Sequence, residues 1–116
     1  MTATFADYVA QQDARNTIQL NVTKWTLMLC DALRDAAPSD YDYIIESGRK
    51  YHKIVMVDSG KGRSVHAFVD RKTGELYKSA SWKSPAKGVR YDLRLIEQRE
   101  WLFENADWSG QYLYLK

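Results

Sequence analysis

Between Tyr41 and Ser79 the chain holds four short runs of aromatic and β-branched residues, separated by connections of only a few residues. The connections are Ser47-Gly48, Asp58-Ser-Gly-Lys-Gly62 and Arg71-Lys-Thr-Gly74. A parallel pair needs a crossover of a dozen residues or more, so these runs must be antiparallel neighbours. The expected strands are Tyr41 to Glu46, Tyr51 to Val57, Arg63 to Asp70 and Glu75 to Ser79. Gly74 suits the positive φ that a type I turn followed by a bulge demands.

Alternation along the strands then assigns faces. If Val55 faces Val65 and Val69 faces Leu76, then Tyr51, Val55, Val57, Val65, Ala67, Val69 and Leu76 share the face that meets a helix. His52, Ile54, Met56, His66, Phe68, Tyr77 and Ser79 share the other. That second face is either half covered by the C-terminal segment or open as an aromatic surface.

The helix comes from the N-terminal part. Ile18, Val22, Trp25, Leu29, Ala32, Leu33 and Ala36 recur at three- and four-residue steps, which predicts a core helix from Thr17 to Ala36, stopped by Pro38-Ser39-Asp40. Leu20, Leu27 and Met28 widen its apolar face, as for a helix clasped by a sheet and a neighbouring helix. Thr2 or Thr4 is placed to cap a short preceding helix carrying Phe5, Tyr8 and Val9, with an interruption or kink near Asn16. After the strands, Trp82 to Val89 reads as a loop held by Pro85 and freed by Gly88. Asp92 is placed to cap a helix from Leu93 to Asn105, and Gln111 to Leu115 reads as a last strand at a sheet edge. The expected architecture is α+β: an N-terminal helix packed on a four- or five-stranded antiparallel sheet, with a second helix near the C-terminus. Residues 1–116 form a single domain in this reading, with a helical region at 1–38 and the sheet, second helix and last strand at 41–116.

Charge divides the chain. The net charge is +2, but residues 1–47 carry −4, residues 48–94 carry +8 and residues 95–116 carry −2. The basic middle suits a polyanion or an acidic protein surface. The lone Cys30 cannot close an internal disulfide and reads as a buried thiol in a reducing compartment. With no run of 18 apolar residues, the sequence predicts a soluble cytoplasmic protein with no membrane partner. No cofactor motif is present: Gly60-Lys61-Gly62 lacks the spacing and the following helix of a phosphate loop.

Several segments carry a resemblance: Gly48-Arg-Lys-Tyr51, Ser64-Val-His-Ala-Phe-Val-Asp70, Tyr77 through Tyr91 with its Trp82-Lys-Ser-Pro-Ala-Lys87 core, and Asp107-Trp-Ser-Gly-Gln-Tyr-Leu-Tyr114. Together they resemble a group of small proteins encoded by tailed bacteriophages, over residues 48–116. The resemblance implies a phage setting, hence the cytoplasm of an infected host cell, and no particular chemistry.

The strongest candidate site is the basic loop. Lys78, Lys83, Lys87 and Arg90 flank Trp82 and Tyr91, pairing phosphate-seeking cations with flat rings on which bases stack. Arg49, Lys50, Lys53, Lys61 and Arg63 extend the patch through the neighbouring turns. His52 and His66 are a candidate acid–base pair on one face, with Lys53 or Lys78 to stabilise a phosphorane. Two histidines without a third ligand make a poor zinc site, so no metal is expected. Glu97, Glu100, Glu104 and Asp107 form either a solvated helix face or an anchor for a basic partner. Three functions follow: a non-enzymatic module that binds nucleic acid through the basic aromatic loop, a phage effector that binds and inhibits a host protein, and a small metal-independent nuclease. Binding without catalysis ranks first, and a homodimer is compatible with the acidic helix and basic sheet.

Overall fold

Nothing between Phe5 and Ala36 stops a helix, because neither Gly nor Pro occurs there. The computed structural model describes residues 4–38, 40–60 and 62–114, and it runs one helix through the whole stretch (α1, Phe5–Ala36). Thr2, Ser39, Lys61 and Leu115 lie outside the described residues. The expected interruption at Asn16 is absent: Asn16 and Thr17 are exposed, and Thr17 Oγ1 donates to the Asp13 carbonyl at 2.9 Å without breaking the helix. Thr4 supplies the cap. Its Oγ1 accepts from the Asp7 amide at 3.1 Å while the Asp7 carboxylate accepts from the Thr4 amide at 3.3 Å, a reciprocal capping box.

The sheet is a five-stranded antiparallel meander in chain order: β1 (Tyr41–Ser47), β2 (Tyr51–Asp58), β3 (Gly62–Asp70), β4 (Glu75–Lys78) and β5 (Tyr91–Asp92). The fifth strand is not the expected one. Gln111–Leu113 forms a 3-10 turn instead of a strand, and Tyr91–Asp92 pairs with Leu76 and Glu75. Asp92 therefore belongs to the sheet and does not cap a helix; its Oδ1 accepts from the Arg94 amide, and the second helix (α2) starts later, at Ile96, and ends at Asn105.

Both strand pairs assumed from the sequence exist, Val55 with Val65 and Val69 with Leu76, yet they do not share a face. Ile54 pairs with Ala67 and Val55 with Val65, so β3 spends one extra residue, His66, at this step. A single inserted residue inverts the alternation on one side of it. The face under α1 accordingly carries Tyr43, Ile54, Ala67, Val69 and Leu76, joined by His52 and Met56, whereas Tyr51, Val55, Val57 and Val65 belong to the opposite, outer face with Lys53, Phe68 and Tyr77.

Val22, Leu29, Cys30 and Leu33 of α1 and Leu102 of α2 close the core over the sheet's inner face. Each such side chain contributes about 1.5–3 kcal/mol by burial. α1 packs on the sheet's inner face and against α2, as expected, yet Leu20, Leu27 and Met28 lie on the side that neither covers and are exposed, 71% in the case of Leu20. The Arg99 guanidinium lies 4.1 Å from the Trp25 ring and ties α2 to α1. At the β3–β4 turn Gly74 has φ +76, and a Cβ there would stand 3.1 Å from Arg94 Cγ and 3.5 Å from Val22 Cγ2, so both backbone and packing demand glycine.

Buried Tyr43 holds the one side-chain polar atom without a hydrogen-bond partner among the described buried groups, its hydroxyl. Tyr43→Phe removes that desolvated oxygen and keeps the ring. We expect a gain of about 1 kcal/mol in urea unfolding at pH 7; a loss of stability would show that the hydroxyl is satisfied.

Candidate anion-binding face

The segment from Ser79 to Arg90 has little regular structure and few apolar residues, yet it is held firmly. Ser79 bridges Pro85, the Ala86 amide donates to the Lys78 carbonyl at 2.7 Å, and Ser81 and Ser84 join through their hydroxyls at 2.9 Å. This loop folds back over the outer face of the sheet. It sets Trp82 between Lys53, whose Nζ is 4.4 Å from the ring centroid, and Arg63, whose guanidinium carbon is 5.6 Å away. Lys53 and Arg63 stand on either side of the Val55–Val65 pair, so the indole roofs that pair while remaining 42% exposed. The ring is thus partly covered by these cations and partly open to solvent.

Beside it is a cavity of about 310 Å³ lined by Glu46, Ser47, Gly48, Arg49, Lys50, Tyr51, Lys53, Phe68 and Lys83. Four predicted cations, Arg49, Lys50, Lys53 and Lys83, are therefore brought to one concavity, three from the β1–β2 hairpin and one from the loop. The aromatic wall is Tyr51, edge-on to Phe68 at 5.7 Å between ring centroids. Lys50 Nζ lies 5.3 Å from the Tyr51 centroid. Arg63 is already paired with Glu46.

The remaining predicted residues lie elsewhere. Lys78 pairs with Ala67 and so points to the inner side, its Nζ 4.8 Å from the Tyr114 ring. Arg90 is spent on backbone: Nε donates to the Leu113 carbonyl at 2.6 Å and an Nη donates to the carbonyls of Lys87 and Gly88 at 2.8 and 2.7 Å. Lys87 is exposed on the returning limb of the loop, outside the cavity. The Asp58–Gly62 connection is at the opposite end of the sheet from Arg49 and Lys50, the length of β2 away, about 25 Å.

The histidines are not a pair. His52 sits opposite Val69, and His66 three residues further along β3, about 10 Å away. Each has its own partners. Thr23 Oγ1 gives its proton to the Gln19 carbonyl at 2.9 Å, so it accepts from His52 Nε2 at 3.1 Å; that leaves Nδ1 to accept from the Ser47 hydroxyl at 2.6 Å. Burial, and then the Arg71 guanidinium, lower the His52 pKa and keep it neutral. His66 meets the Tyr112 hydroxyl at 2.6 Å and the edge of Tyr43, and burial pushes its pKa down to about 4. Both rings act as neutral links between elements.

Sequence reasoning missed Tyr51 and Phe68 as cavity walls and missed Arg71, whose guanidinium donates to the Gly48 carbonyl at 2.6 Å and props the β1–β2 turn. Connectivity carried a usable signal, because in a meander the first and third turns lie at the same end of the sheet. Among the described residues no helix is long and apolar enough to cross a membrane, and no group of three His, Cys, Asp or Glu side chains is placed to hold a metal ion.

A family described as of unknown function, DUF7717, matches residues 5–115. The chain belongs to the DUF7717 family. The match takes in all of α1 together with the sheet and α2, so the DUF7717 unit includes the long helix as well as the basic hairpins. No curated protein matches this DUF7717 chain, and no solved structure does.

Proposed function

We propose that the outer face of the sheet binds single-stranded nucleic acid without cutting it. The observation that carries this reading is Trp82: half-exposed, held between Lys53 and Arg63, and bordering a cavity rimmed by Arg49, Lys50, Lys53 and Lys83. The exposed part of the indole offers aromatic surface on which a base can stack and the ammonium groups neutralise phosphates, the two ingredients of sequence-tolerant strand binding. The likeness to tailed-phage proteins supports an infected bacterial cytoplasm as the place where it acts.

The test is fluorescence anisotropy with a labelled oligonucleotide across a salt series. For three or four phosphate contacts on a single strand, affinity falls roughly tenfold to a hundredfold between 50 and 200 mM salt. Trp82→Ala weakens binding by about 5- to 150-fold, the worth of one stacked base. Binding indifferent to salt would end the reading. A second reading, a host-protein effector, is favoured by Trp101 and Trp108, which are 42% and 46% exposed outside the loop. It predicts a stoichiometric protein partner in nuclease-treated host lysate that is lost in Trp108→Ala and kept in Trp82→Ala.

A further inference from the structure

The cavity beside Trp82 is narrower in purpose than the face around it. Its lining holds four cations against one carboxylate, a net charge of +3, and that carboxylate, Glu46, is already engaged by Arg63. An internal phosphodiester brings a single negative charge, whereas a phosphomonoester carries about −1.5 to −2 near neutral pH. At about 310 Å³ the cavity is at the small end of the range for small-molecule sites. It has room for one nucleotide and not for a run of them. Tyr51, packed edge-on against the buried Phe68, supplies an aromatic ring within the same lining, so charge and ring are found in one place.

Position adds to this. The cavity is built at one end of the sheet, where the β1–β2 turn is propped by Arg71 on the Gly48 carbonyl and by the Arg71 amide on the Lys50 carbonyl at 2.9 Å. Lys83, the neighbour of Trp82 in the loop, is part of the lining. A strand lying across Trp82 would reach the cavity with its end.

We infer that this cavity takes a terminal phosphomonoester together with its base, presented by a free nucleoside monophosphate or by the phosphorylated end of a strand; the strand-end form rests on the binding reading above. Arg49 and the three lysines hold the phosphate, and Tyr51, backed by Phe68, faces the base.

The experiment compares three probes on the intact protein: a 12-mer with a 5′-phosphate, the same 12-mer with a 5′-hydroxyl, and AMP as a competitor. The phosphorylated 12-mer is expected to bind at least about tenfold tighter than the hydroxyl form, the worth of one added charge-assisted contact. The double variant Lys50→Ala/Lys83→Ala erases the difference, and the exposed Lys87→Ala, which removes a positive charge outside the cavity, preserves it. Circular dichroism and urea unfolding verify that the variants are folded. Displacement by AMP identifies the free nucleotide as a sufficient ligand; preference for the phosphorylated 12-mer without AMP displacement identifies the strand end, and either supports the inference. Equal affinity for both 12-mers, with no AMP binding, overturns it and leaves strand binding intact. AMP binding without any oligonucleotide binding keeps the cavity and removes the strand-binding reading.

Discussion

Arg90→Lys is expected to destabilise the protein by about 2–3 kcal/mol, nearly as much as Arg90→Ala, although it keeps the positive charge. The guanidinium satisfies three carbonyls at once, those of Lys87, Gly88 and Leu113, and so staples the returning limb of the Trp82 loop to the C-terminal 3-10 turn. An ammonium is a point donor without that fork and cannot reach all three from one position. In the variant the limb detaches, and Trp82 emission shifts to longer wavelength as the ring leaves Lys53 and Arg63. If Arg90 instead contacted phosphate, lysine would preserve both stability and binding, and urea unfolding with tryptophan fluorescence would report it.

The second large effect is with pH. His66 has a folded pKa of about 4 against roughly 6.5 in an unfolded chain, because burial disfavours the imidazolium. Between those values the unfolded state binds more protons than the folded one, so stability rises with pH. The contribution is complete above pH 6.5 and disappears as pH falls toward 4. Its size is about 2–3 kcal/mol for a ring that keeps some contact with solvent. His52, lowered for the same reason, adds in the same direction. Asp42, whose carboxylate Arg34 holds below the usual range, loses its stabilising charge only at lower pH and does not confuse the window. Urea unfolding at pH 7.0, 5.5 and 4.0 measures the slope. His66→Gln should flatten it, and a parent protein equally stable at all three values would contradict the burial of His66.

Much of this was legible from residues alone. Short connections made the strands antiparallel, and the stripe through Val22, Leu29 and Leu33 placed the helix against them. His66 shows where legibility ended. A bulge is one residue in a strand of normal composition, and nothing in Ser64-Val-His-Ala-Phe-Val-Asp70 announces it, yet it turned Val55 and Val65 outward and His52 and Ile54 inward. Gln111 to Leu113 failed for a related reason. The weak alternation expected to make a strand from Gln111 to Leu115 fits a 3-10 turn equally over its first three residues, and only the neighbours on offer decide.

Local periodicity, turn length and the absence of helix breakers are properties of adjacent residues, so the chain's own order determined the α+β class, the antiparallel meander and the concentration of charge in the middle third. Which of those charges meet is a property of packing. The loop's fold over the outer face brought Lys83 to Arg49, Lys50 and Lys53, while strand alternation sent Lys78 to the inner side and hydrogen bonding consumed Arg90. Long-range closure of that kind depends on which surfaces are left to cover once the core has formed, and only the tertiary structure settles it.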